Sequence, residues 1–514
     1  MARMPIRRPW LPDAVAFVIA GALAVVLATE LTRPLHAGPV AFDVGANVLH
    51  FERIVHGHRL EQMLTTTPKP FLTVIYGLLH ALTDDWRPIS WSTILAFGVG
   101  VALLTVVARR LGGTVVATFV GVGLAGSALL LEDVGLALGW GWALLWLAVA
   151  AFVVTLPAPR YVLAGLALAA AVLVRIELIV VVAGIGLVLA LASALPWLPR
   201  PPRGAWFLLL GGLALPVMLV HDGLLIGDPL FWTAISGRYS ESAPDLRDLG
   251  ELAAAVWARY EGLPVLGGLA ILGVVELLRL RHWAIGVGIL LLGPAITAFM
   301  LLLALRGTFV PDRYLAPVDV ALIVGAGFGL HALRLRPGLV RALRAVAAPL
   351  RVAGLVAAVA LLAIVITPSW ALIGAPGRDV VRNQLWLAID QRAVLATLRA
   401  EVAERPEITA YPDGDGDGEP TFFVPVKARP AIAVDLGLSL AEVGSSFGPN
   451  IDLAAGYPAV GQVVFHDLHG ERYLTGFEPL RTDVAIEIDG VRVVPLAVDE
   501  RRGYWVVEIE SATP

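Results

Sequence analysis

Apolar runs of about 18 residues or more recur from Val15 to Ile366, separated by short turns that collect Arg, Asp and Pro. Each run is long enough to cross the hydrocarbon core of a bilayer as a helix. The basic turns are Arg7/Arg8, Arg109/Arg110, Arg160, Arg200/Arg203, Arg279/Arg281 and the stretch 334–351. Placing them on the cytoplasmic side, as short Arg-bearing loops require, predicts about eleven spans. These lie near 14–33, 90–108, 114–131, 135–156, 161–174, 176–196, 205–221, 262–278, 283–305, 314–333 and 352–368. The loops 34–89, 132–133, 175–177, 221–261 and 307–314 then share the outer face.

Beyond residue 368 the pattern changes. Residues 379–403 have a helical period with charges on one side. From Thr421 short β-like runs alternate with turns, at 421–426, 431–436, 462–468, 483–488, 491–498 and 504–509. The runs on either side of Asp489-Gly490 predict a hairpin, because that dipeptide suits a two-residue turn with positive φ. An odd number of spans places this tail outside. The expected fold class is therefore a polytopic α-helical membrane protein with a C-terminal extracytoplasmic mixed α/β domain. The division falls at 1–370 and 371–514, and about 145 residues suffice for a separate core.

Composition agrees with the pattern. The chain is 58% hydrophobic and 16% charged, with a mean hydropathy of +0.78. A soluble fold has no place for that much apolar surface. The net charge of −4 gives no reason to expect a nucleic-acid partner. The absence of Cys excludes disulfides and thiol chemistry. A basic start before an apolar run is shared by signal peptides, but the run from Ala14 to about Thr32 lacks a small-residue cleavage site and reads as a retained first helix. Most Gly residues lie inside apolar spans, where they let helices approach closely, and no convincing Gly-rich phosphate loop is present.

The polar segment Ala41–Phe71 is the most informative stretch. It holds Asp43 just past the first span, three His, and Lys69-Pro70 opening the next apolar run. Lys occurs only at Lys69 and Lys427, in a chain otherwise charged by Arg. A compact ammonium with a shiftable pKa does work that a planar, always-charged fork does not. With Asp43, the outer face gathers Glu52, His56, His58, Lys69, Glu132, Asp133, Arg175, Glu177, His221, Asp222, Asp228, Arg238, Asp312 and Arg313. Ionisable groups at a membrane edge are expensive and point to function. Plainer roles stand beside this one. Arg175 and Glu177 can pair with each other, and Asp43, Glu132 and Asp133 can cap helices. His50, His56 and His58 read as solvated loop residues, since the spacing of the last two fits no zinc site. Asp413, Asp415, Asp417 and Gly418 match the front half of a calcium loop, but Val424 stands where that loop needs Glu.

These residues, in this order and on one side, resemble the polyprenyl-phosphate-dependent membrane glycosyltransferases of the GT-C type, such as protein O-mannosyltransferases and lipid A aminoarabinose transferases. The matching positions are Asp43, Lys69-Pro70, Glu132/Asp133, Arg175-Ile176-Glu177 and Arg313-Tyr314 with Pro317, within roughly residues 10–370. The resemblance implies a glycosyltransferase in a bacterial cell membrane. Its partners would be the bilayer, a polyprenyl-phosphate-linked sugar donor and a glycan, lipid or protein acceptor. Asp43 would be the catalytic base, with Glu132 and Asp133 as further catalytic acids. Lys69, Arg175, Arg313 and Arg238 would meet the donor phosphate, supported by Glu52, Glu177, His221, Asp222 and Tyr314. No cofactor is fixed by the resemblance; if a divalent cation, Mg or Mn, is used, Asp43 and Glu132 or Asp133 would hold it. Val44, Pro68 and Ile176 depart from the family pattern and leave fewer carboxylates for such an ion. A transporter or flippase, or a non-catalytic scaffold, are the other classes. The polar residues cluster at an outer edge rather than at the bilayer midplane, which disfavours a transporter.

Overall fold

Within a bilayer every backbone N–H and C=O must be satisfied inside its own segment, so uninterrupted apolar sequence folds as helix. The computed structural model describes residues 10–32, 42–59, 69–195, 200–230, 264–280, 282–305 and 312–334. In the C-terminal part it describes 422–425, 429–436, 443–446, 463–467, 486–488, 491–499 and 504–511. Among these residues six helices are long and apolar enough to cross a membrane, and a bent pair supplies a further candidate. The chain is a membrane protein.

Helix α1 is Trp10–Thr32. Val15, Val18, Ile19 and Val26 on it are exposed, as side chains facing lipid are, while Ala20, Ala24 and Ala28 turn inward. After α2 (Phe42–His56) and α3 (Pro70–Thr83) comes α4, Arg87–Ala125. At 39 residues, α4 would measure about 58 Å if straight, nearly twice the hydrocarbon thickness. Gly113 breaks it with φ 81° and ψ −172°, a region that essentially only Gly enters. The second arm folds back on the first, so that a Cβ at Gly121 would lie 2.8 Å from Thr105 Oγ1. The two arms cover the span expected at 90–108 and the first part of that expected at 114–131, which stops at Ala125, with Arg109 and Arg110 just before the break. Asp13 receives a bond from each Arg Nε at 2.8 Å, and Arg110 lies 4.8 Å over the Phe152 ring. Charges from α1 and α4 are thereby tied together at this end of the bundle.

The next span differs from expectation. Instead of starting at 135, the chain forms a short α5 (Ala128–Gly135), then α6 (Trp140–Val154) bent 118° from it. The break lies in a turn where Ala137 and Gly139 have positive φ. Helix α7 is Tyr161–Val174, as predicted. Then follow the 3-10 turn Ile176–Leu178, α8 (Ile179–Ala194), a 3-10 segment Arg203–Leu213 and α9 (Ala214–Leu225). Helix α10 is Pro264–Arg279. Helices α11 (Trp283–Leu290) and α12 (Ile296–Leu305) are joined by a widened turn, Leu291–Ala295, around Pro294, whose ring cannot fit a regular α turn. Helix α13, Ala316–Arg334, follows the 3-10 turn Asp312–Leu315. It crosses α10 with backbones in contact, where a Cβ at Gly273 would stand 1.9 Å from Gly325 O. The span expected at 352–368, the helix at 379–403, the 370/371 division and the acidic turn at 413–418 lie outside the described residues.

The C-terminal pieces build one six-stranded mixed sheet in the order β2-β1-β3-β6-β5-β4. Its strands are β1 Phe422–Pro425, β2 Val443–Ser446, β3 Val463–Asp467, β4 Ile486–Ile488, β5 Val491–Asp499 and β6 Tyr504–Ser511. The expected hairpin is present, with Ile488 paired to Val491 across Asp489-Gly490. Pro495 falls at the register shift between β5 and β6, where a strand tolerates a missing N–H. The run expected as a strand at 431–436 is instead part of helix α14, Arg429–Leu436, since a short, mostly apolar run has no clear period of its own and Pro430 favours a helix start. Strand β2 was not expected, because Gly-Ser-Ser carries little β propensity. Helix α14 packs on α2, where Ala431 sits so close to Gly45 that a Cβ there would come within 2.8 Å of Ala431 N.

Gly113→Ala is expected to destabilise the α4 hairpin by about 1–3 kcal/mol, the cost of a side chain in that backbone region. A lowered melting temperature of the detergent-solubilised protein checks it, and an unchanged one contradicts it.

Candidate active site

Helices α2 and α3 lie side by side and are joined at regular intervals. Asp43 stands in the first turn of α2, where a carboxylate is favoured. Pro70 at the first position of α3 fixes the helical φ, and Lys69 occupies the N-cap. A cation there opposes the helix dipole, so something else must hold it. Lys69 Nζ donates to Asp43 Oδ2 at 2.7 Å, with the Lys side chain only 7% exposed. One turn on, at the same 26-residue spacing, Thr73 Oγ1 donates to Asn47 Oδ1 at 3.2 Å. Asn47 Nδ2 in turn donates to the Asp43 carbonyl at 2.6 Å. One turn further, Phe51 covers Gly77 so closely that a Cβ there would lie 2.0 Å from Phe51 Cγ. An ion pair, a hydrogen bond and a ring-on-glycine contact thus fix the register of the two helices.

Helix α9 reaches the middle of this ladder. His221 Nε2 lies 3.3 Å from Thr73 Oγ1, and its Nδ1 lies 3.0 Å from Asp222 Oδ1. Asp222 is fully buried. The His50 ring, on the inner face of α2, stands 6.0 Å from that of His221. Burial holds His50 neutral, with a pKa lowered to about 3, and the neighbouring His221 and Lys69 act in the same direction.

A second cluster forms around Arg175, at the end of α7. Its guanidinium donates to the Asp133 carboxylate on α5 and lies 3.7 Å from Glu177. Asp133 Oδ1 also accepts the Trp140 N–H at 2.6 Å, capping α6 after the break. Asp133 and Arg175 are both buried, 1% and 3% exposed. The Arg175 guanidinium lies 5.1 Å from the Trp140 ring and 6.0 Å from that of Tyr314. Tyr76 of α3 braces the same turn, donating to the Ala137 carbonyl at 2.9 Å. Through Tyr76, α3 thus borders both clusters.

The structure therefore brings together Asp43, Lys69, Asp133, Arg175, Glu177, Tyr314, His221 and Asp222. Glu132 is exposed while its neighbour Asp133 is buried, because consecutive helical residues point in different directions. Glu52 lies further along α2, half-buried, with its carbonyl accepting His56 Nδ1. Arg313 has its backbone in the 3-10 turn before α13, and Arg238 lies outside the described residues. His56 and His58 are exposed, as expected, but His50 is buried in the site rather than solvated. Arg175 pairs with Glu177 as one expectation had it, and with Asp133 as well. Asn47, Thr73, Tyr76 and Trp140 had not been singled out. The spacing of Asp43, Asn47 and His50 on one helical face is the signal that could have found Asn47.

Among the described residues no group of three or more His, Asp or Glu is arranged to hold a metal ion. Asp43 and Asp133 are both turned to cations of the protein itself, and Glu132 is exposed.

No protein-family model matches the chain, and no curated protein matches it. Solved structures do. The oligosaccharyltransferase of Archaeoglobus fulgidus, tethered to an acceptor peptide, superposes with a TM-score of 0.51 at 14% identity, over 90% of this chain and 70% of that one. ArnT from Cupriavidus metallidurans bound to undecaprenyl phosphate gives 0.46, also at 14% identity, over 96% of this chain and 98% of that one. Over that span the chain shares the fold of the archaeal oligosaccharyltransferase.

Because His50 is neutral when folded and takes up a proton when unfolded, the unfolded state binds more protons between pH 6.5 and about 3. Stability should fall as pH drops through that window, by up to about tenfold in the folding equilibrium per pH unit. Thermal melts at pH 7 and pH 5 are expected to show this fall, and His50→Gln to reduce it. Asp133→Asn leaves Arg175 short of charge in a buried place and should cost about 3–5 kcal/mol, read as a lower melting temperature.

Proposed function

We propose that the protein is a membrane glycosyltransferase that moves a sugar from a polyprenyl-phosphate donor to a hydroxyl of an extracytoplasmic envelope acceptor. The observation that carries this reading is the Lys69–Asp43 pair, a buried cation held at a helix N-terminus by a carboxylate. The GT-C fold supports it. When the donor enters, its phosphate draws Lys69 away from Asp43, and Lys69 and Arg175 then face the charge that develops on the leaving group. Arg313 and Arg238 are the further candidates for that duty. Asp43, released, accepts the acceptor's hydroxyl proton as the oxygen bonds to C1 of the sugar. The C1–O bond to phosphate breaks, and the lipid phosphate leaves with the electron pair. Asp133 keeps Arg175 in place and neutralises it between turnovers. Since the site carboxylates are already matched to Lys69 and Arg175, this mechanism asks for no divalent cation, and transfer should survive chelation with EDTA.

We further propose that the C-terminal part, from about residue 371, is an extracytoplasmic α/β domain that helps select the acceptor. The packing of α14 on α2, the helix that carries Asp43, supports this role. Deleting residues 371–514 should then impair transfer more than membrane insertion, and loss of insertion alone would make the domain a folding element.

Mass spectrometry of cell-envelope glycans with and without the protein tests the reading, with loss of one sugar modification as the expected result. Asp43→Asn keeps the size of the side chain but removes its basicity, and should lower transfer by about 10² or more. Lys69→Ala should weaken binding of undecaprenyl phosphate, used as the probe, and Lys69→Arg should restore it only in part, since the fork does not match the ammonium. Full transfer by Asp43→Asn would remove that residue as the base and leave Asp133 as the next carboxylate to test.

A further inference from the structure

Thr73 Oγ1 carries one proton and stands within hydrogen-bond distance of two atoms that are both able to accept it. Asn47 Oδ1 is 3.2 Å away and His221 Nε2 is 3.3 Å away. The Asn47 amide nitrogen is turned to the Asp43 carbonyl, so its oxygen is the atom that faces Thr73. If His221 Nε2 were bare, both neighbours would compete for the single hydroxyl proton, and one buried acceptor would go unmet at a cost in free energy. If Nε2 carries a proton, the chain closes: Nε2–H donates to Thr73, Thr73 donates to Asn47, and Asn47 donates to the Asp43 carbonyl. The other ring nitrogen then shares a proton with Asp222 Oδ1, 3.0 Å away. Asp222 is fully buried, and among the described residues its second oxygen has no hydrogen-bond partner, so the proton on its first oxygen's side helps to compensate its burial.

We infer that His221 and Asp222 form a positioning pair, which keeps Nε2 of His221 protonated and so directs the Thr73 hydroxyl to Asn47, locking α2 to α3 one turn below Asp43 and Lys69. The assignment rests on the glycosyltransferase reading for its functional meaning, though not for its hydrogen-bond geometry. The neighbouring groups are consistent with it. His50 stays neutral beside His221, and the charges of Asp43 and Lys69, one turn away on α2 and α3, are paired with each other. Neither His221 nor Asp222 touches substrate in this scheme. Both act through Thr73.

Solid-state nitrogen NMR of the full-length protein, labelled at histidine and reconstituted in lipid, reads the proton directly. The His221 signals, assigned by their loss in His221→Gln, should place Nε2 among protonated ring nitrogens. A bare Nε2 overturns the assignment. The functional arm uses undecaprenyl phosphate as the probe. Thr73→Val should weaken its binding about tenfold, the loss expected when one partner of a buried hydrogen bond is removed, and Thr73→Ser, which keeps the hydroxyl, should restore it. Asp222→Asn, whose amide can still donate to Nδ1 and hold the proton on Nε2, should bind far better than Asp222→Leu. Unchanged binding in Thr73→Val, or equal loss in Ser and Val, overturns the positioning role. If the parent protein itself does not bind the probe, the lipid-phosphate reading fails and the nitrogen signal alone decides the proton.

Discussion

A lysine at the N-terminus of a helix is held there against the helix's own dipole. In this protein the Asp43 carboxylate takes part in the holding, and it fixes how α2 and α3 meet. Because Asp43 and Lys69 must meet, the helices run side by side with a fixed offset, and the offset dictates what stands one and two turns below. Asn47 must face Thr73, and Phe51 must face a residue with no side chain, which is Gly77. Replacing any of the three contacts would loosen the same register.

Arg175 plays the corresponding part on the other side of the site. It is buried, and it faces Asp133, Glu177, and the rings of Trp140 and Tyr314. A buried guanidinium is tolerable only when matched in this way. The same Asp133 that matches it also caps α6, so the bend between α5 and α6 and the electrostatics of the site are one feature of the chain. Function and fold share a residue here, and a substitution at Asp133 affects both.

Much of this was legible in the sequence. Continuous apolar runs gave the helices, and α7 was placed to the residue because Arg160 and Arg175 bound it. The paired Arg109 and Arg110 marked a turn, although the sharpness of that turn comes from Gly113, whose positive φ no periodicity reveals. Asp43, Lys69, Asp133 and Arg175 stood out because charge at a membrane edge is costly. What was hidden depends on tertiary contact. Nothing local to Thr73 or Asn47 says that they meet, and His50 reads as a loop residue until α9 is packed against it. The run at 431–436 misled for a simpler reason, since a short apolar stretch carries no period with which to tell a strand from a helix.

The seating of Ala431 on Gly45 ties a late part of the chain to an early one. During synthesis at about 5–20 residues per second, α2 waits roughly 20–80 s before α14 emerges to cover it. For that interval the face of α2 that includes Gly45 lacks its final neighbour. The helix that bears Asp43 thus reaches its finished packing only once most of the protein has been made. Assembly order, and not only sequence, separates the nascent chain from the working site.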